Sequence, residues 1–129
     1  MIRVLIVDDS PSVRDLLAYV LGSDPALEVA GCASDGEQGV RMACELRPDV
    51  ITMDLQMPGT DGVEATRSIM RACPVPIVIV SGSNRFEEVG ASFRAIEAGA
   101  LVAVRRPSGI GSPDHLASAN LLIRTVKSM

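Results

Sequence analysis

A length of 129 residues fits one ordinary domain, and 47% apolar against 22% charged residues is the balance of a folded globular protein, which excludes a disordered chain. No uninterrupted apolar run approaches the ~20 residues of a membrane span, so membrane insertion is not expected. A net charge of −4 with 2% aromatic residues and no Trp supplies neither a basic stripe nor a stacking platform, which argues against direct nucleic-acid binding.

An apolar strand is predicted over 2–7, with no signal peptide before it. Ser10-Pro11 then offers an N-cap followed by Pro at the first helical position. Val13, Leu16, Leu17, Val20 and Leu21 form one apolar face of that first helix, and Gly22 is read as its stop. A second strand is predicted near 28–33. Ser34 and Glu37 have capping-box spacing before a helix carrying Val40, Ala43 and Cys44. The third strand, 49–53, is followed by the turn Met57-Pro58-Gly59 and a second capping pair, Asp61 with Glu64, before Val63, Thr66, Ile69 and Met70. A fourth strand at 76–80 precedes a helix spaced by Phe86, Val89, Phe93 and Ile96 and ending near Gly99. The fifth strand, 100–104, leads to a last helix started by Ser112-Pro113, with Leu116, Ala119, Leu122, Ile123 and Val126 inward. Phe86 and Phe93 read as core or as a partner-facing edge, and His115 as solvated. Cys32, Cys44 and Cys73 are odd in number, widely spaced and set in apolar stretches; they read as buried free thiols of a reducing cytoplasm.

Short continuous Val/Ile/Leu strands alternating with helices predict parallel strands buried on both faces. The fold class is therefore α/β: a flavodoxin-like, doubly wound five-stranded parallel sheet of order 2-1-3-4-5 with helices on both faces. In such a sheet ligands bind beyond the C-terminal strand ends at the switch point, between strands 1 and 3. Those strands end in Asp8-Asp9 and in Asp54.

Three carboxylates at one sheet edge repel one another unless protons or a cation neutralise them. Mg²⁺ suits the site, with Asp9 and Asp54 as direct ligands, Asp8 acting through water and the Gln56 backbone carbonyl nearby. Asp54 is then placed to act as a nucleophile that accepts a phosphoryl group, with Mg²⁺ neutralising the transferring charge. Strand 4 ends in Ser81-Gly82, where a hydroxyl would hydrogen-bond a phosphoryl oxygen. Strand 5 ends in Arg105-Arg106-Pro107, where a cation would pair with the same group.

Val7-Asp8-Asp9-Ser10, Met53-Asp54 with Met57-Pro58 and Asp61-Gly62, Val80-Ser81-Gly82, Ala98-Gly99-Ala100 and the basic residue before Pro107 together resemble a receiver domain of a two-component response regulator, over the whole chain. The resemblance implies that Asp54 takes phosphoryl from a histidine kinase, that Ser81 is a switch hydroxyl, and that the bond before Pro107 is cis. The tail, from Arg106-Pro107-Ser108-Gly109 to Lys127-Ser128-Met129, is similar to the receiver half of chemotaxis protein-glutamate methylesterases. It implies a cytoplasmic regulatory domain excised from a longer chain, whose C-terminal effector would be a partner. The domain itself would be no enzyme beyond Mg²⁺-dependent self-phosphorylation and dephosphorylation. No Gly-x-Ser-x-Gly elbow occurs within the 129 residues.

Two positions depart from the family's pattern. Arg106 stands where receivers carry Lys, keeping the charge in a longer planar group. Ala103 stands where strand 5 usually carries Tyr or Phe, and a methyl group cannot swing in and out to couple Ser81 to the helix 4–strand 5–helix 5 face. A phosphorylated switch with modified coupling is the reading adopted. The alternatives are a degenerate receiver acting as a phosphorylation-independent interaction module, or a stand-alone receiver. A phosphatase of the haloacid-dehalogenase type would need Asp-x-Asp at the first strand, where this chain has Asp8-Asp9-Ser10. A flavodoxin is disfavoured by the missing aromatics and phosphate loop.

Overall fold

The structure, a computed structural model, describes residues 1–82 and 86–129, and for 86–88 the backbone alone. Strands and helices alternate as β1 (Ile2–Val7), α1 (Pro11–Gly22), β2 (Leu27–Ala33), α2 (Gly36–Leu46), β3 (Val50–Met53), α3 (Gly62–Ala72), β4 (Ile77–Ser81), α4 (Phe86–Glu97), β5 (Val102–Arg105) and α5 (His115–Lys127). The strands form one sheet of order β2-β1-β3-β4-β5, and every neighbouring pair is parallel. The expected topology is therefore the observed one. Among the described residues no helix is long and apolar enough to cross a membrane.

Alternation along each strand divides the core in two. Leu5, Val7, Ile51, Met53, Ile77 and Ile79 pack with Ala43 of α2, Ala65 and Ile69 of α3 and Ala95 of α4. Val4, Ile6, Val50, Val78 and Val80 pack on the other face with Leu17, Val20 and Leu21 of α1 and Ala119, Leu122 and Val126 of α5. Each of the buried Leu, Ile, Val and Met side chains contributes roughly 1.5–3 kcal/mol, so both faces are committed and the strands cannot slip register by one residue.

The local signals resolve with small shifts. Ser10 caps α1, its hydroxyl accepting from the Val13 N–H at 3.4 Å. Gly22 is the last residue of α1 rather than a left-handed stop; the turn is closed by Ser23, whose hydroxyl donates to the Val20 carbonyl at 2.6 Å. The α2 box sits one residue later than its spacing suggested. Asp35 is the N-cap, accepting from Gln38 N–H at 2.8 Å, and the Gln38 side chain reaches back to Ser34 N–H at 2.5 Å. Asp61 caps α3, accepting from Glu64 N–H at 2.9 Å. The last helix begins later than Ser112: residues 112–114 make a turn closed by His115 N–H on the Ser112 carbonyl at 3.1 Å. Leu116, in the first turn of α5, is consequently 71% exposed and not inward.

Three further expectations are corrected. No cis peptide occurs among the described residues, so the Arg106–Pro107 bond is trans. Cys44 and Cys73 form a disulfide with Cα atoms 5.5 Å apart, and Cys32 is an exposed free thiol on the edge strand β2. Spacing along the chain concealed the pair because only the packing of α2 beside α3 brings the two residues together. His115 is half-buried, with Nδ1 2.7 Å from the Ser108 carbonyl oxygen. Phe93 is 67% exposed, an edge rather than core, while the Phe86 side chain lies outside the described residues.

Candidate functional site

Strand pairing sets the acids side by side. Val7 pairs with Met53, and the ladder runs one residue further, Asp54 N–H donating to the Val7 carbonyl at 2.9 Å. Asp8 is held from both sides: its N–H donates to Ala33 O at 3.0 Å, and its carbonyl accepts from Arg14 Nη1 at 2.7 Å. Asp8 and Asp54 are only 1% and 8% exposed, while Asp9 faces solvent. A carboxylate oxygen from each of the three lies within 4.8 Å of those of the other two.

Such proximity shifts proton affinities. Asp54 is pushed up to about 7, first by burial, then by the charge of Asp8 and by a hydrogen bond shared with Asp9, against a lowering contribution from the Gln56 N–H. Burial also raises Asp8, opposed by the Ser10 N–H, which donates to its Oδ1 at 2.9 Å, and by the Arg106 charge. The other Asp8 oxygen, Oδ2, is buried with no hydrogen-bond partner among the described residues. An orphaned buried carboxylate oxygen facing two more carboxylates is the donor set of a hard divalent cation, so the residues fit Mg²⁺. Gln56 belongs to the same cleft: it lines it together with Asp9, Met57 and Pro58, the turn expected to shape the acidic pocket.

The two remaining strand ends lie side by side. Ser81 closes β4 and pairs with Arg105, and its carbonyl accepts from Arg106 N–H at 2.8 Å. The Arg106 guanidinium turns back over Gly82, where an added Cβ would stand 2.6 Å from Nη2. It forms no ion pair among the described residues; its Nε is buried without a partner, and its charge is felt at Asp8. The Arg106 charge therefore reaches Asp8 without being taken up by an ion pair among the described residues. Ala103 faces Ile79 across the ladder and lines an apolar groove of about 450 Å³ with Val89, Phe93, Ile96 and Leu101, which reaches Ser81 at one end.

Two contributors were not read from sequence. Arg14 lies one turn into α1, and nothing in its spacing distinguished it from a solvated helix residue. Gly62 is legible in sequence only as part of the Asp61-Gly62 motif, yet it is where α3 touches the site: a Cβ there would lie 2.1 Å from the Asp54 carbonyl oxygen and 2.7 Å from Leu55 Cα. Both obstacles are backbone, so Gly62→Ala is expected to cost roughly 1–3 kcal/mol or more, read as a lowered urea midpoint at unchanged m-value.

Residues 4–115 match the response regulator receiver domain family. The chain is 55% identical over 129 residues to a protein-glutamate methylesterase/protein-glutamine glutaminase of Nitrosospira multiformis, covering all of this chain and 36% of that protein. It is 52% identical to a similarly named protein of Geobacter metallireducens, again over the full chain and 37% of the relative. It thus spans little more than a third of these curated relatives. Among solved structures, the response regulator domain of Thermotoga maritima CheB superposes with a TM-score of 0.84 at 35% identity, covering 99% of this chain and 95% of that one.

Proposed function

We propose that this chain, which belongs to the response regulator receiver domain family, is a phosphorylation-dependent switch that accepts a phosphoryl group on Asp54 from a histidine kinase. The observation that carries this reading is the buried Asp54 with two further carboxylates within 4.8 Å, beside a cation, Arg106, whose charge is felt at Asp8. Asp8, Asp9, Asp54 and the Gln56 backbone carbonyl would hold Mg²⁺. Bound there, the ion supplies the positive charge that keeps Asp54 ionised and offsets the charge of the transferring group.

The chain's own residues do the rest. An ionised Asp54 oxygen attacks phosphorus as the donor's N–P bond breaks, giving an aspartyl-phosphate. The Arg106 guanidinium, whose Nε has no partner among the described residues, pairs with the phosphoryl oxygens, and the Ser81 hydroxyl donates to one of them. Burial of Asp8 and Asp54 keeps bulk water from screening these charges.

The relatives support a wider setting: this domain, 1–129, as the regulatory part of a longer cytoplasmic chain in which it controls a chemotaxis methylesterase effector. One observation favours a second reading, a module that binds partners without phosphorylation. Position 103 beside the groove carries only a methyl group, which cannot swing to report the state of Ser81 to the α4–β5 edge.

A Mg²⁺ titration followed by backbone amide resonances separates the two. The switch predicts saturable shifts at Asp8, Asp9, Asp54 and Gln56, lost in Asp9→Asn. No shift near Asp54 at millimolar Mg²⁺ would leave the interaction module as the better account.

A further inference from the structure

We propose that Cys44 and Cys73 are a reversible thiol–disulfide switch that opens and closes a covalent loop around the segment bearing Asp54. Cys44 lies in the last turn of α2. Cys73 is the C-cap of α3, its N–H donating to Ile69 O at 2.8 Å. The two helices lie side by side on one face of the sheet, where Ala43, Met42, Leu46, Ile69 and Met70 share one apolar cluster. That packing brings the Cα atoms to 5.5 Å, inside the interval natural disulfides occupy. The bridge joins positions 29 apart, so the loop it closes contains β3, Asp54 and all of α3.

Access distinguishes this pair from an inert structural bridge. Both cysteines are half-buried and line an open groove of about 530 Å³ with Arg47, Pro48, Pro74 and Val75, at the starts of β3 and β4. A small thiol can enter there and reach either sulfur. Oxidation by a low-molecular-weight disulfide proceeds in two displacements. One cysteine thiolate attacks a sulfur of the donor, breaking its S–S bond and expelling one small thiol. The second cysteine then attacks the mixed disulfide, forming the Cys44–Cys73 bond and releasing the other small thiol. The two cysteine protons end on the two released thiols; the protein loses two electrons and the donor gains them. A reduced small thiol reverses each step.

The groove lies at the opposite end of β3 from Asp54, so the bridge governs how readily the α2–α3 layer opens and leaves the acidic pocket intact. It stands independently of phosphorylation at Asp54.

The 129-residue protein is equilibrated natively with oxidised glutathione or with dithiothreitol, then alkylated with iodoacetamide and weighed intact. One adduct, carbamidomethyl or glutathionyl, is expected at exposed Cys32 after oxidation and three carbamidomethyl adducts after reduction, since Cys32 is the one thiol outside the bridge. The oxidised form should melt on the order of 10 °C higher. Cys44→Ser and Cys73→Ser should each take two adducts and melt like the reduced protein in both buffers. Cys32→Ser should take none oxidised and two reduced, which keeps the test valid if the other variants fold poorly. Three adducts after oxidised glutathione, protection of Cys32 instead, one adduct persisting after dithiothreitol, or equal melting in both buffers would each overturn the proposal.

Discussion

Metal-free protein is expected to lose a few kcal/mol of stability between pH 4 and pH 7, and Asp54→Asn to remove most of that loss. The unfolded chain releases the Asp54 proton near the ordinary value of 3.8, whereas the folded protein holds it to about 7. Between those values the native state binds more protons than the unfolded state, so stability is greatest below the unfolded value and falls as pH rises to the folded one. The full shift corresponds to a ceiling of roughly 4 kcal/mol, and sharing of charge with Asp8 and Asp9 lowers the part assignable to Asp54 alone. Asp8, also raised, acts in the same direction. Asp24 acts oppositely: its folded value is lowered by Ala26 N–H, so its contribution is lost on acidification. The informative quantity is therefore the wild-type minus Asp54→Asn difference in urea midpoint across pH. Saturating Mg²⁺ at pH 7 should restore the wild type, by about 2.7 kcal/mol at a hundredfold excess over the dissociation constant. Parallel profiles for the two proteins would contradict this electrostatic description of the pocket.

Arg106→Ala is expected to slow phosphoryl uptake from a small donor by about 10- to 100-fold, the equivalent of one charge-assisted hydrogen bond. Mg²⁺ binding should persist, because the carboxylates remain. Arg106→Lys should recover much of the rate, since a compact ammonium satisfies the same charge. Gly82→Ala provides an independent approach to the same contact. The atom its Cβ would meet at 2.6 Å is the tip of the Arg106 side chain, which can move aside at little cost to the fold. The rate should therefore fall while the melting temperature hardly changes. Uptake in Arg106→Ala equal to wild type would remove Arg106 from the site.

Much of this was legible in the chain because it depends on local patterning. Ile2–Val7 and Val50–Met53 are short apolar runs ending in acid, and parallel pairing alone places Asp8 beside Asp54. Ser10-Pro11 and Asp61 mark helix starts through contacts two to three residues away, which a sequence displays directly. What could not be read depends on tertiary approach. Ser112-Pro113 has the composition of a helix start, yet Asp114 with a helical backbone and no side-chain cap precedes α5, and Leu116 turns outward. Cys44 and Cys73 meet only because α2 and α3 pack together. Arg14 reaches the Asp8 carbonyl only through the angle at which α1 leaves β1, and Gly62 matters only because α3 begins against the Asp54 backbone. The trans bond before Pro107 differs from what family resemblance implied, since neither isomer is encoded by the dipeptide itself.

The most direct measurement is intact mass after incubation with acetyl phosphate and Mg²⁺, comparing wild type with Asp54→Ala. The account predicts one added phosphoryl group on wild type, none when the metal is chelated, and none on Asp54→Ala. No gain by wild type under conditions that label a typical receiver, or undiminished labelling of Asp54→Ala, would contradict it.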